Sequence, residues 1–198
     1  SEEKTRVCDN VIRQFFDGEE KAIIFCEDSE QEDDIINILR GQNKEMREYS
    51  SKRSPAEKFS ALRDFKNGTV NFLLGKKMLD EGMDIPHVEK CLVVASSTNP
   101  REFIQRRGRI LRISKDIKKK TAEMHDLVVL PLINIPQDRE LTESEENSVN
   151  SLVRIVQGEF DRINQLITSA DNSGRVLEQM HEESQRLGIE DRINFEVH

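Results

Sequence analysis

Four arginines around one glycine form the densest group of potentially reactive or ligand-binding side chains in the sequence. They lie in the segment QRRGRILR, as Arg106, Arg107, Arg109 and Arg112. A guanidinium is permanently charged, and its forked donors fit phosphate oxygens in pairs. Like charges at this density repel one another and destabilise a fold unless an anion balances them. The segment is a candidate phosphate site; the alternative is a solvated basic face with local carboxylate partners.

A second candidate is LLGKKMLDEGMDIP, residues 73–86. An apolar run ends at Gly75, Lys76 follows it, and the next turn contains Gly82 and Asp84. A lysine can meet a phosphate as a point charge, and Asp84 can accept hydrogen bonds from a sugar hydroxyl. The alternative is an ordinary connection between two strands that carries surface charges.

A third candidate is Ser29 in FCEDSEQ, which follows the first apolar run and stands where a helix begins. Free backbone amides at a helix N-terminus favour an anion. Ser29 and Glu32 also fit the Ser-x-x-Glu capping box. The sequence favours this second interpretation, in which Ser29 is the helix cap.

Short apolar runs bounded by polar residues predict the strands that must position these candidates. Such runs are typical of strands buried on both faces of a parallel sheet. The predicted strands are KAIIFC (21–26), VNFLLG (70–75), EKCLVVAS (89–96) and HDLVVLP (125–131), with EMREYSS (45–51) as a weaker candidate.

Amphipathic helices are predicted between these strands, over 5–16, 30–40 and 55–66. In the first, Val7, Val11 and Phe15 are expected to face the core; in the third, the corresponding residues are Phe59, Leu62 and Phe65. Ser54 with Glu57 fits a capping box, Pro55 suits the first helical position, and Asn99-Pro100 marks another start. Alternating strands and helices predict an α/β fold with an open, mostly parallel sheet, whose sites lie at the carboxyl ends of the strands.

The pattern changes near residue 131, so we expect one domain over 1–131 and an extension over 132–198. LPLINIPQDR contains two prolines and reads as a connector. Thr142 with Glu145 fits a capping box, and Val149, Leu152, Val156, Phe160, Ile163 and Ile167 follow at helical spacing. After the turn ADNSG, Leu177, Met180 and Leu187 predict a second helix, which completes a helical hairpin.

The net charge of −8 argues against a basic nucleic-acid binder if the charge is spread evenly. It is not spread evenly, because residues 101–120 hold nine basic and two acidic side chains, leaving −15 on the rest. No apolar run is long enough to span a bilayer, and the first residues lack the apolar stretch of a secretory signal. The three cysteines form no CxxC pair, which fits a reducing cytoplasm. The four histidines are scattered, so no metal site is predicted.

The order and content of these segments resemble the second RecA-like domain of superfamily 2 helicases and nucleic-acid translocases. KAIIFCEDSEQEDDIINIL resembles helicase motif IV, LDEGMDIP resembles motif V, and SSTNPREFIQRRGRILR is similar to motif VI. The resemblance extends over residues 5–131. It implies a RecA-like sheet flanked by helices, followed in this chain by the helical hairpin.

The resemblance implies roles for individual residues. In motif VI, Gln105 would touch the γ-phosphate region, and Arg109 and Arg112 would act as arginine fingers. Arg106, grouped with the ATP-binding residues, would help to hold the motif by pairing with carboxylates. In motif V, Gly82 and Asp84 would contact the nucleotide, Asp84 at the ribose. The backbone of a nucleic acid would be met by Ser29, Gly75 and Lys76. Many relatives have Thr or Ser where Lys76 stands, which puts the geometry of that contact in doubt.

The sequence contains no GxxxxGK[ST] loop and no DExx box after a strand. In the family these parts hold ATP and Mg²⁺ on an N-terminal RecA-like domain, which we therefore expect as the partner of this chain. The leading hypothesis is the C-terminal motor domain of an ATP-dependent helicase or translocase, inactive on its own and acting on DNA rather than RNA. The alternative is a non-catalytic α/β interaction module in which the acidic hairpin docks a protein.

Overall fold

The computed structural model describes residues 2–26, 28–76, 88–94, 122–136, 138–168 and 170–195. The chain divides into two compact units, Ser1–Val128 and Val129–His198. Among the described residues, no helix is both long and apolar enough to cross a lipid bilayer.

The first unit is built around a parallel sheet of five strands in the order β2-β3-β1-β4-β5. Its strands are β1 (Ala22–Cys26), β2 (Met46–Tyr49), β3 (Phe72–Lys76), β4 (Lys90–Val93) and β5 (Glu123–Asp126). Its described helices are α1 (Glu2–Phe15), α2 (Ser29–Gly41) and α3 (Pro55–Lys66). The predicted α/β class with a parallel sheet is confirmed.

Helices cover both faces of this sheet. On β1, Ile24 belongs to the apolar cluster that includes residues of α1 and α2, whereas Ile23 belongs to the cluster of α3. Successive side chains of a strand point to opposite faces, so one uninterrupted apolar strand supplies both cores. This is why AIIFC is buried at every position.

The prediction for α1 is wrong for two of its three residues, since only Val11 is half-buried and packs against the core. Val7 and Phe15 are 40% and 38% exposed, and the residues buried against the sheet are Cys8, Ile12 and Phe16. Both sets repeat every four residues, so helical spacing alone does not separate them. In α3, Phe65 is buried as expected, but Phe59 is 71% exposed.

The last strand begins and ends earlier than the apolar run HDLVVLP (125–131), which was predicted to form it. β5 is Glu123–Asp126, and most of the apolar run after it is outside the strand. The register with β4 explains the shift, because Lys90 pairs with Glu123 and Val93 pairs with Asp126. Leu127 adds one more backbone hydrogen bond, from its N–H to the Val93 carbonyl at 2.9 Å.

The second unit is a helical hairpin formed by α4 (Glu143–Ile167) and α5 (Ser173–Arg186). Thr142 and Glu145 form the predicted capping box at the start of α4. Its core contains the predicted Val149, Val156 and Phe160, together with Met180 and Leu187. Val153 is buried rather than the predicted Leu152. A short 3₁₀ turn, Glu190–Arg192, follows α5 and is tied back to α4 by the Arg192–Glu146 ion pair at 2.6 Å.

Candidate functional site

The structure groups the predicted backbone-binding residues at the carboxyl edge of three adjacent strands. β3 lies between β2 and β1, and Gly75 pairs with Tyr49 on one side and Phe25 on the other. Lys76 pairs with Cys26, the last residue of β1, and Ser29 begins α2 three residues later. The end of a parallel strand and the start of the following helix are where α/β sheets bind ligands.

The cap of α2 differs from the prediction. Asp28, not Ser29, is the N-cap, and its carboxylate accepts a hydrogen bond from the Gln31 amide at 2.8 Å. The proposed Ser29–Glu32 capping box is therefore wrong, and Ser29 is the first residue of the helix. An aspartate is as good a cap as a serine, so local preference did not decide between the two adjacent positions. The correction removes capping as the explanation for the Ser29 hydroxyl.

Glu32 lies on the side of α2 that faces the core. Its side chain is 1% exposed, and it precedes the buried Ile35 and Ile36 by one helical turn. The ammonium Nζ of Lys52 lies 3.5 Å from Glu32 Oε2 and 3.9 Å from Asp33 Oδ1. Sequence reasoning missed this pair. The sequence did contain an indication of it, because Glu32 is an acidic residue on the face of α2 that is otherwise apolar.

The cysteine at the end of β1 is not a reactive thiol. Cys26 is buried, and burial raises the pKa of its thiol, with the negative charge of Glu32 adding to the same effect. A thiol held in its neutral form is a poor nucleophile. Cys26 is therefore a packing residue at this edge.

The turn after β2 is braced on both sides. The Ser50 carbonyl accepts from the Arg53 N–H at 3.1 Å, which closes a turn that contains Lys52. The Arg53 guanidinium donates to Glu48 at 2.5 Å and to Glu57 at 3.5 Å. The hydrogen bonds and charge of Glu48 raise the pKa of Arg53 further. The predicted capping box of α3 is present, with Ser54 N–H donating to Glu57 Oε2 at 2.8 Å.

The residues predicted to contact ATP lie outside the described part of the chain. They are Gly82, Asp84, Gln105, Arg106, Arg109 and Arg112. Asn99-Pro100, the predicted helix start before motif VI, also lies outside it. Within the described residues, no group of three or more potential metal ligands is assembled.

Comparisons with known proteins agree with the architecture of the first unit. Residues 3–114 match the family described as the helicase conserved C-terminal domain. The match covers more than half of the 198-residue chain.

Named relatives include helicases described as acting on DNA and on RNA. The chain is 29% identical over 116 residues to the ATP-dependent DNA helicase mph1 of Neurospora crassa, covering 52% of the chain and 10% of that protein. It is 25% identical over 138 residues to the ATP-dependent RNA helicase dbp8 of Aspergillus oryzae, covering 69% of the chain and 31% of that protein. The chain thus spans about a tenth to a third of these relatives.

Solved structures share the fold. The C-terminal domain of the DEAD-box protein Dbp5 superposes with a TM-score of 0.53 at 17% identity, covering 78% of this chain and 79% of that one. The C-terminal part of the Fun30 ATPase domain has a TM-score of 0.53 at 14% identity, covering 79% of this chain and 53% of that one. The parallel sheet and the family match lead to one conclusion: the chain belongs to the helicase conserved C-terminal domain family of superfamily 2 helicases.

Proposed function

We propose that this chain is the C-terminal motor domain of an ATP-dependent helicase or translocase that acts on DNA. The observation that carries the proposal is the match of residues 3–114 to the helicase C-terminal family. The described geometry supports it, because Ser29, Gly75 and Lys76 lie at one edge of the sheet, where a nucleic-acid backbone can pass. Contacts of this kind are made to phosphates and are largely independent of base sequence.

In the proposed mechanism, ATP and Mg²⁺ bind an N-terminal RecA-like domain of the same enzyme. Arg109 and Arg112 act as arginine fingers on the transferring phosphoryl group, while Gln105, Arg106, Gly82 and Asp84 complete the nucleotide contacts. Positive charge placed where negative charge develops lowers the barrier to phosphoryl transfer. Closure around ATP and reopening after hydrolysis would then step the bound strand.

DNA is proposed over RNA by analogy, because the motifs QRRGRILR and LDEGMDIP look closer to those of DNA repair and restriction enzymes than to those of DEAD-box RNA helicases. The relatives include both kinds, so the substrate is tested directly. ATP hydrolysis by the full-length protein is measured without nucleic acid, with single-stranded DNA and with RNA of equal length. Stronger stimulation by RNA would contradict the DNA assignment.

The arginine-finger assignment is tested with Arg109→Ala and Arg112→Ala in the full-length protein. An arginine finger is worth about 10³–10⁵ in turnover in NTPases generally, so ATP hydrolysis should fall by at least about 10²-fold. Arg154→Ala is the matched control, since it removes an exposed guanidinium from α4. An unchanged rate in Arg109→Ala would refute the assignment. A full-length protein with no ATPase activity would favour the alternative of a non-catalytic interaction module.

A further inference from the structure

One ion pair at the carboxyl edge of the sheet joins helix α2, which follows β1, to the turn that follows β2. Glu32 belongs to the first turn of α2, which follows β1, and Lys52 belongs to the turn after β2. Because β3 lies between β1 and β2, the pair links the two elements that flank the end of β3. Gly75 and Lys76 are the last residues of that strand. The Glu32–Lys52 pair thus stands beside the predicted backbone-binding residues.

The two partners of this pair are buried to very different extents. The Glu32 side chain is 1% exposed, whereas the Lys52 side chain is 49% exposed. Among the described residues, neither carboxylate oxygen of Glu32 has a hydrogen-bond partner. A buried carboxylate is costly unless a charge or a hydrogen bond compensates it, and Lys52 supplies that charge at 3.5 Å. Asp33 Oδ1 lies 3.9 Å from the same ammonium, so two carboxylates restrain a lysine whose side chain is still half-exposed.

The backbone around Lys52 is also held in place. The Ser50–Arg53 hydrogen bond closes the turn, and the Arg53 guanidinium is bound by Glu48 and Glu57. Ser50 is buried, and its hydroxyl has no hydrogen-bond partner among the described residues. Arg53 is paired with Glu48 and Glu57, and Lys52 is paired with Glu32 and Asp33, but the Lys52 side chain is half-exposed and can reach a further anion. A cation that is restrained before binding loses less conformational entropy when it meets its ligand.

We propose that Lys52 contacts a backbone phosphate of the bound nucleic-acid strand and that Glu32 is the positioning residue that holds it. This inference rests on the proposed function, since it adds a contact to the same strand. The first turn of α2 is acidic, with Glu30 and Glu32 following the Asp28 cap. A phosphate that approaches Ser29 would be repelled by these carboxylates, and the Lys52 ammonium offsets the repulsion at that point.

The test measures the affinity of the full-length protein for a fluorescein-labelled single strand of twenty thymidines, by anisotropy, over a range of salt concentrations. Lys52→Ala should weaken binding by about threefold to tenfold and reduce the slope of log K against log salt by about 0.7, as expected for one lost phosphate contact. Lys52→Arg should restore both. Lys66→Ala is the matched control, because it removes an exposed lysine at the far end of α3 and should leave the slope unchanged.

Glu32→Gln separates the positioning role from a simple loss of charge. The lysine remains, so the salt slope should stay at the wild-type value, while affinity falls by about twofold to threefold because Lys52 keeps only the exposed Asp33 carboxylate at 3.9 Å and is less restrained. If Lys52→Ala destabilises the fold by stranding the buried carboxylate, the double variant Glu32→Gln/Lys52→Gln removes both charges and should still show the reduced slope. Thermal melting establishes that each variant is folded at the assay temperature.

The outcomes distinguish this inference from the proposed function. A wild-type protein that does not bind the strand would contradict the proposed function itself. A wild-type protein that binds normally while Lys52→Ala keeps the full salt slope would overturn only the Lys52 contact. Tighter binding by Glu32→Gln would show that Glu32 competes with phosphate for Lys52, and it would overturn the positioning role.

Discussion

Cys26 and Lys76 are register partners on the parallel strands β1 and β3. The pairing brings the end of the motif IV strand and the start of the motif V segment to the same level of the sheet. Ser29 and Lys76 are 47 positions apart in the sequence. This register places both of them at the same edge of the sheet, because Lys76 pairs with Cys26 and Ser29 follows Cys26 by three residues. Parallel pairing thereby turns motifs that are separate in the chain into one continuous edge.

The two phenylalanines of α3 give a direct test of which helix face supports the first unit. Phe65 is 0% exposed and Phe59 is 71% exposed. Phe65→Ala should lower the free energy of unfolding by about 3–5 kcal/mol, because it removes a buried ring and leaves a cavity. Phe59→Ala should change it by less than about 0.5 kcal/mol.

Chemical denaturation followed by tyrosine fluorescence measures both changes. The chain has no tryptophan and one tyrosine, the buried Tyr49 of β2, so the signal reports the first unit. Equal losses in the two variants would contradict the burial of α3 described above.

Two glycines of the second unit should respond to alanine in opposite directions. Gly158 lies inside α4, and a Cβ there would meet no atom within 4 Å. Gly158→Ala should therefore raise the free energy of unfolding by up to about 1 kcal/mol through better helix propensity. Gly188 follows α5 with φ of +65°, a conformation in which a Cβ costs about 1–2 kcal/mol, so Gly188→Ala should be destabilising.

Thermal melting followed by circular dichroism compares the glycine variants, since the second unit is mainly helical. Both variants add one methyl group, so a difference between them reflects the backbone conformation at each glycine. A stabilised Gly188→Ala protein would be inconsistent with the left-handed turn that ends α5.

The capping glutamate of α4 should make the second unit sensitive to acid. Hydrogen bonds from Arg139 and from Thr142 hold the pKa of Glu145 far below its usual value. A depressed folded-state pKa contributes stability that is fully present above the unfolded value, about 4.3 for glutamate, and lost as pH falls through the folded pKa. Stability should therefore decline as the pH is lowered from about 5 towards 2.

Melting temperatures measured between pH 7 and pH 2 test this expectation. Glu145→Gln should be less stable than wild type at pH 7 and should lose part of the acid dependence. Glu146 contributes to the remaining acid dependence, because the hydrogen bond that it accepts from Arg192 also lowers its pKa. Glu140→Gln, at an exposed position nearby, is the control and should follow the wild-type curve. An acid dependence identical in Glu145→Gln and wild type would exclude this origin.

The sequence determined the features that depend on neighbouring residues. AIIFC and the FLL of FLLGK form strands because short, uninterrupted apolar runs must be buried on both faces of a sheet. The capping boxes at Ser54 and Thr142 formed as predicted because both partners lie within four residues of each other. The alternation of strands and helices along the chain and these helix starts were enough to indicate the fold class. The three motif-like segments were enough to indicate the family.

Only the tertiary structure decided the features that depend on residues far apart in the chain. Two apolar triads in and just after α1 have the same spacing, and packing against the sheet selected Cys8, Ile12 and Phe16 over the predicted Val7 and Phe15. Asp28 and Ser29 are both good caps, and in the structure Asp28 is the cap. Glu32 is buried beside Lys52 because β3 enters the sheet between β1 and β2, a neighbour relation that local sequence does not encode. Contacts between distant residues form only when the whole sheet is assembled, and for that reason the charge pair at the candidate site was absent from the sequence prediction.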